Sequence, residues 1–375
     1  MSNIPNYEQW GQLNDYLNSI AVSLGSQVDT STWAGVQKAV RMGLAPDLFP
    51  VGTQLKVNHS VYGERLYDVI AHDHFESADD SNAHTMTLIC HDAIVSLPFD
   101  ASEAFYYAEK ELPAGTYNFT LPTGLGKWSQ GTYQFTLTQA VPQGGRLAIN
   151  GNATTDITAC KLASYASPSD TSQIVNVNIT SGNGGTSLGK FGDELNIIDR
   201  VSYGSDNYKE SPIRQFLNSE LAAGSMWTPQ TKYDRISVWM RTNDGFLRGL
   251  DDDFVSVIGK VIVPCAANKS YESVDSSVTV GSKYILEDKF YLLSQKEIFD
   301  SAYEIVDDDS SVIDYYKQSS AEERIKYLDG AAIAWTLRSA YHNNSSSYKR
   351  VVTTGTFGAQ YAVYSSGICP VCNIV

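Results

Sequence analysis

Apolar positions near the start of the chain recur at 3-4-3-4 spacing: Trp10, Leu13, Leu17, Ile20 and Leu24. That spacing predicts a helix over residues 5–25 with a heptad seam, stopped at Gly25. Two heptads are marginal as an isolated helix, so the seam is expected to pack in an oligomer. A second short helix is predicted with Thr32 as its N-cap, Trp33, Val36 and Val40 as its apolar face, and Gly43 as its stop. From Thr53 the period falls to two. Leu55 and Val57, then Leu66, Val69 and Ile70, then 85–89 and 93–97 read as strands, and Pro98-Phe99-Asp100 closes the block.

Residues 104–195 carry a different texture. Gly115-Thr116-Tyr117-Asn118-Phe119-Thr120-Leu121 recurs as Gly131-Thr132-Tyr133-Gln134-Phe135-Thr136-Leu137, and residues 175–179 alternate in the same way. Both repeats have the pattern of half-buried strands, and Gly- and Ser-rich turns separate the runs. The segment reads as a β-sandwich inserted into a larger domain. Beyond it, 211–221 predicts a helix with Ile213, Phe216 and Leu217 on one face, and 321–328 a second. Residues 254–263, 289–293, 335–338, 349–353, 362–364 and 369–374 read as strands. The resulting division is an N-terminal helical attachment segment (1–47), the first part of a scaffold domain (48–103), the insert (104–195) and the rest of the scaffold (196–375).

Charge and composition exclude several functions. The net charge is −15 and the basic residues are scattered, so a phosphate backbone would be repelled and nucleic-acid binding is not expected. No run approaches the roughly 20 apolar residues of a membrane span. The first residues, Met1-Ser2-Asn3-Ile4-Pro5, lack a basic and an apolar region, so synthesis in a cytoplasm is expected. Tyr is abundant at 23 residues, a composition that suits binding surfaces because its ring supplies contact area at low entropy cost.

Three clusters carry residue types used in catalysis or metal binding. His72, His74, His84 and His91 with Asp73 and Asp92 have the residue types of a zinc or iron site, but a structural role is favoured and no metal is expected. Cys369-Pro370-Val371-Cys372 is a CxxC inside an apparent final strand among apolar neighbours, the setting of buried scaffold thiols rather than of a reactive thiolate. The runs 251–253 and 307–309 of three Asp each read as solvated loops or helix ends rather than a calcium site. There is no phosphate loop, GxSxG or HExxH. No cofactor and no catalytic residue are expected.

One further set of motifs carries a resemblance. Tyr203-Gly204-Ser205-Asp206-Asn207-Tyr208 is followed by Ile213-Arg214-Gln215-Phe216-Leu217-Asn218-Ser219 and by Met226-Trp227-Thr228-Pro229-Gln230-Thr231-Lys232-Tyr233-Asp234-Arg235. Then come Gly245-Phe246-Leu247, Lys289-Phe290-Tyr291-Leu292-Leu293-Ser294, Trp335-Thr336-Leu337-Arg338-Ser339 and Cys372-Asn373-Ile374. In this order they resemble C-type-lectin-like variable proteins of diversity-generating retroelements, found in phages and prophages of gut bacteria. The resemblance implies an α+β, C-type-lectin-like fold of the formylglycine-generating-enzyme kind. It also implies a display protein on a phage tail, often a trimer, that binds a protein or carbohydrate receptor on a bacterial cell surface.

The binding surface implied comprises Tyr341, His342, Asn343, Asn344, Ser346, Tyr348, Thr356, Gly358, Ala359, Gln360, Tyr361, Val363, Tyr364 and Ser366. It reads as two loops, 341–348 and 356–366, framed by scaffold strands, with side chains of the anchor-plus-adaptable-donor kind. A homo-oligomer formed through the N-terminal helix is expected, a trimer by resemblance. The second reading is a non-diversified structural adaptor of a tail or baseplate. The third is an oxidase or metal enzyme on the same fold, acting through Cys369 and Cys372.

Overall fold

The Thr32 hydroxyl accepts the Gly35 N–H at 3.1 Å and so caps the first described helix. This helix, α1 (Trp33–Arg41), buries Val36, Ala39 and Val40. Gly43 follows it at φ +70°, a left-handed turn that favours glycine. The short α2 (Ala45–Leu48) leads into the sheets. The computed structural model describes residues 28–121, 129–149, 161–163, 174–190, 200–268, 282–342 and 344–375. The helix predicted over 5–25 lies outside them.

Alternating side chains then form β1 (Gln54–His59), β2 (Gly63–His72) and β3 (Met86–Cys90), paired antiparallel in succession, while β4 (Val95–Pro98) leaves for another sheet. The insert contributes β5 (Tyr106–Tyr107), β6 (Gly115–Leu121), β7 (Gly131–Leu137), β8 (Arg146–Ile149), β9 (Lys161–Ala163), β10 (Ile174–Val177), β11 (Thr180–Ser181) and β12 (Thr186–Lys190). The two sequence repeats are β6 and β7, and they form one antiparallel ladder, Gly115 opposite Leu137. These strands make two four-stranded sheets, ordered β5-β8-β10-β9 and β11-β7-β6-β12. Tyr117, Phe119, Tyr133, Phe135 and Val175 lie in a hydrophobic cluster separate from the main core.

Glu103 and Arg200 flank the insert in sequence and meet in space, with Arg200 Nε and Nη2 donating to Glu103 Oε1 at 3.1 and 2.9 Å. Arg200 Nη2 also reaches Glu210 at 3.1 Å. The ion pair is buried, so it closes the base of the insert where water does not compete.

After the insert several predicted elements change. α3 (Pro212–Leu217) stops short of Leu221 because the Asn218 amide turns onto the carbonyls of Arg214 and Phe290 at 3.1 and 2.8 Å. The apolar run 254–263 is not one strand. Its first part lies in α4 (Asp252–Val257), whose N-terminal dipole is matched by Asp252 and Asp253, and β13 (Ile258–Gly259) and β14 (Val261–Ala267) follow. β14 pairs with β15 (Ser282–Asp288). Next come β16 (Phe290–Tyr291), α5 (Gln295–Phe299) with a Ser294–Glu297 capping box, and α6 (Asp314–Lys317). The helix predicted over 321–328 is a single 3-10 turn, Glu322–Arg324, followed by β17 (Lys326–Leu328). Asp329 and Gly330 both take positive φ, 51° and 81°, and make a tight hairpin to β18 (Ala331–Ile333).

The C-terminal strands are β19 (Trp335–Ala340), β20 (Ser347–Val351), β21 (Phe357–Tyr361), β22 (Ser365–Ile368) and β23 (Val371–Ile374). Residues 362–364, read as a strand, instead form the turn between β21 and β22; Tyr364 N–H closes it onto Tyr361 C=O at 3.0 Å. One sheet has the order β1-β2-β3-β23-β13, with β16 also on β23. The other runs β21-β20-β19-β22-β4. The chain is thus mixed α+β, mostly sheet. No helix among the described residues is long and apolar enough to cross a membrane.

Arg338 on β19 joins the pieces. Its Nε donates to Pro264 C=O at 2.8 Å, and Nη1 donates to Leu292 C=O at 2.8 Å and Glu297 Oε2 at 2.7 Å. Nη2 donates to Glu297 Oε1 and to Ser310 Oγ, the latter at 3.0 Å. All five guanidinium donors are used, and Arg338 and Glu297 are buried. Removing the carboxylate would leave a buried, unpaired cation. Glu297→Ala is expected to lower the unfolding free energy by about 3–5 kcal/mol in denaturant titration. Glu64→Ala, which breaks the exposed Lys56–Glu64 pair, should leave the midpoint unmoved.

Candidate functional site

The C-terminal segment rests on β19, whose Trp335 Nε1 donates to Arg324 C=O at 3.0 Å. From there the chain leaves through Tyr341 and returns at β20. The connection is held from below. Asp206 N–H donates to Ser345 C=O at 2.8 Å. Asn268 Nδ2 donates to Asp206 Oδ2 at 2.8 Å and also to Tyr341 C=O. Within the connection, Ser346 N–H and Oγ both donate to Asn344 Oδ1, at 2.8 and 2.6 Å, an Asx turn. Lys349 Nζ lies 3.1 Å from Glu304 Oε2 and about equally over the rings of Tyr341 and Phe357, at 5.0 and 5.1 Å.

The structure divides the predicted surface. Thr356, Ala359 and Tyr364 are exposed, and Tyr341, His342, Asn344, Gly358, Gln360, Tyr361 and Val363 are half-buried. Asn343 lies outside the described residues. Ser346, Tyr348 and Ser366, expected on the surface, are buried. Tyr348 stacks on Phe99 with ring centroids 4.7 Å apart, and its hydroxyl donates to Ser366 Oγ at 2.9 Å. A Tyr whose hydroxyl finds a buried partner behaves as a core residue. Ser346 and Ser366 are buried for the same reason: Asn344 and Tyr348 satisfy their hydroxyls. The second predicted loop, 356–366, is also corrected, because most of it belongs to β21 and β22.

Sequence reasoning missed two parts of this surface. Tyr203 stacks on Tyr361 at 4.0 Å with the rings 16° from parallel, and its carbonyl accepts Val363 N–H at 3.1 Å. Tyr364 lies 6.3 Å from Tyr361, so three tyrosines from distant positions form one cluster. The second part is a cavity of about 580 Å³ beside the turn. Val363 and Ser365 form one wall, Leu97 and Pro98 another, and Arg235, Val238 and Trp239 a third, with Ile149 of the insert at the side. Val238 is 75% exposed, the largest fraction among the exposed apolar side chains of the described residues. The signals in the sequence are a tyrosine in a motif and the apolar run Val238-Trp239-Met240, and neither says what it adjoins.

Burial shifts the carboxylates of this region upward. Burial pushes Asp206 up to about 8, against the Asn268 hydrogen bond. Burial, with the neighbouring Asp234 and Glu210, raises Glu103 to about 8 despite Arg200. Asp100, which lines the cavity, lies well above its ordinary value through burial and the adjacent Glu103 and Asp234.

The other candidate chemistries resolve into separate contacts. His72 Nε2 lies 3.0 Å from Phe49 C=O, His84 pairs with Asp73 at 2.9 Å and His91 with Asp68 at 2.7 Å. Among the described residues no group of three or more ligand-type side chains converges on a metal position. Cys369 and Cys372 are buried, and burial raises both thiols, which disfavours the reactive thiolate. The 307–309 run is spent on structure: Asp308 faces Arg338 at 3.7 Å, Asp307 pairs with Lys296 at 3.2 Å and Asp309 with Lys283 at 2.5 Å.

A raised carboxyl pKa stabilises the fold fully below the unfolded carboxylate range, and that contribution is lost as pH climbs through the folded value. The melting temperature is therefore expected to fall from about pH 5 to about pH 8.5, and Asp206→Asn should flatten the fall. Thermal scans across that range check it; an equally steep curve for Asp206→Asn would count against Asp206 as the source.

Comparison with protein families gives a match over residues 171–375, more than half of the chain, to DUF6273, a domain of unknown function. No curated protein and no solved structure matches the chain.

Proposed function

We propose, from the premise that this chain belongs to the DUF6273 family, that it is a binding protein of C-type-lectin-like fold whose C-terminal surface displays side chains for recognition of a receptor. The observation that carries the reading is the division within residues 341–366. Buried Ser346, Tyr348 and Ser366 are locked into the scaffold, while Thr356, Ala359 and Tyr364 are exposed and Val363 and Ser365 line a cavity of about 580 Å³. Such an arrangement allows surface side chains to change with little consequence for folding. The tyrosine cluster supplies rigid anchors, and the cavity has the size and mixed polarity of a ligand pocket.

On this reading the motifs from Tyr203 to Ile374 belong to a variable protein of the diversity-generating kind, carried on a phage tail and directed to a protein or carbohydrate on a bacterial surface. The insert is a β-sandwich on the scaffold, and residues 1–47 attach and oligomerise the chain. Cys369, Pro370, Val371 and Cys372 are scaffold, and recognition needs no catalytic group.

The test exchanges residues 341, 342, 356, 359–361, 363 and 364 for those of a relative while keeping Asn344, Ser346, Tyr348 and Ser366. Binding to a panel of bacterial surfaces should change, and the melting temperature should stay within about 2 °C. Unaltered binding would instead favour a passive adaptor of a tail or baseplate. As the scaffold control, Tyr348→Ala should cost about 3–5 kcal/mol of stability, measured by denaturant titration. Tyr364→Ala should leave stability within about 0.5 kcal/mol while weakening binding.

A further inference from the structure

β21 is the last strand of its sheet, so only one of its edges is paired. The hydrogen bonds at the two ends of its ladder with β20 set the phase. Ala362 N–H donates to Ser346 C=O at 2.8 Å, and Val352 N–H donates to Thr356 C=O at 2.7 Å. In the intervening register, Arg350 lies opposite Gly358 and Tyr348 opposite Gln360. Because bonded and non-bonded pairs alternate in an antiparallel ladder, Gly358 and Gln360 point their backbone groups inward. Phe357, Ala359 and Tyr361 point theirs outward.

Tyr361 is already engaged, since its C=O accepts Tyr364 N–H at 3.0 Å and its N–H donates to Gln360 Oε1 at 3.2 Å. Phe357 and Ala359 keep their outward N–H and C=O, for which the described residues supply no partner. Ala359 is exposed. Residues 351–368 contain no charge and no proline, two of the devices that stop edge strands from pairing.

We propose that this edge pairs with the same edge of a second copy of the chain. Antiparallel pairing about Gly358 sets Phe357 of each copy opposite Ala359 of the other. All the free donors and acceptors are then used, and four hydrogen bonds cross the two-fold axis. Gly358 meets its own counterpart at a non-bonded position, where strands approach closest, and it has no side chain to clash there. This self-complementarity is what an isologous dimer requires, and it favours a second copy over a foreign strand. The inference goes beyond the display reading and does not depend on it. A dimer of this kind brings two tyrosine clusters onto one assembly, which raises avidity for a repetitive target.

A single short edge is smaller than a standard interface, so dissociation in the range of about 100 μM is expected. The net charge of −15 opposes association, so added salt should tighten it. The test is sedimentation velocity of the full chain from about 1 μM to about 1 mM, at low and high salt. Ala359→Pro removes one outward N–H from each copy and no bond to β20, so it is tolerated on an edge. Two of the four bonds are lost, and association should weaken about 30-fold with the melting curve unchanged.

Gly358→Cys provides a second readout that needs no loss of fold. A Cβ there meets only the Val352 methyl, at 2.8 Å, on a side chain that can turn. Mild oxidation should cross-link this variant into dimers faster than Thr354→Cys. A chain that stays monomeric throughout overturns the proposal. So does an oligomer that Ala359→Pro leaves intact and Gly358→Cys does not cross-link.

Discussion

The buried guanidinium of Arg338 is the contact on which the C-terminal half depends. It fixes β19 to the middle of β14, to the turn before α5, to the α5 cap through Glu297, and to the 308–310 loop. Glu297 serves twice, because its carboxylate also accepts the Ser294 N–H at 2.8 Å. A charge in a dry core is tolerable only when every donor has an acceptor, so these four segments hold one arrangement. Everything outward of β19 inherits that position.

A second buried polar system supports the surface from beneath. Asp206 and Asn268 hold the backbone at Ser345 and Tyr341, and Glu103 with Arg200 closes the base of the insert. Asp206 and Asn268 hold the segment's backbone from elsewhere in the chain, and within it the buried Ser346, Tyr348 and Ser366 add their own anchoring.

Local signals in the chain were read well where they are short-range. The Thr32 cap, the strands of residues 53–97 and the paired Gly-Thr-Tyr repeats all follow from spacing and side-chain type. Errors arose where a tertiary partner overrode the pattern. Asn218 ends α3 by bonding to Phe290, 72 residues away, and the apolar run after Asp251 is divided because two acidic residues suit a helix N-terminus. Residues 326–333 form a hairpin because Asp329 and Gly330 take positive φ. At the candidate site, the composition of 341–366 identified the region but not the facing of its side chains. Tyr348 looks like Tyr364 in sequence, yet one lies against Phe99 and the other is 45% exposed.

The sequence by itself determined the Thr32-capped helix, the strands of residues 53–97, the two Gly-Thr-Tyr repeats as strands, and the Ser-, Asn- and Tyr-rich composition of 341–366. These are properties of neighbouring residues. Tertiary structure decided the rest: the stacking of Tyr203 on Tyr361, the cavity shared by Val363, Val238 and Pro98, and the outward phase of Phe357 and Ala359 on an unpaired edge. Each depends on how strands far apart in the chain are registered. A one-residue change of register would turn each side chain to the opposite face.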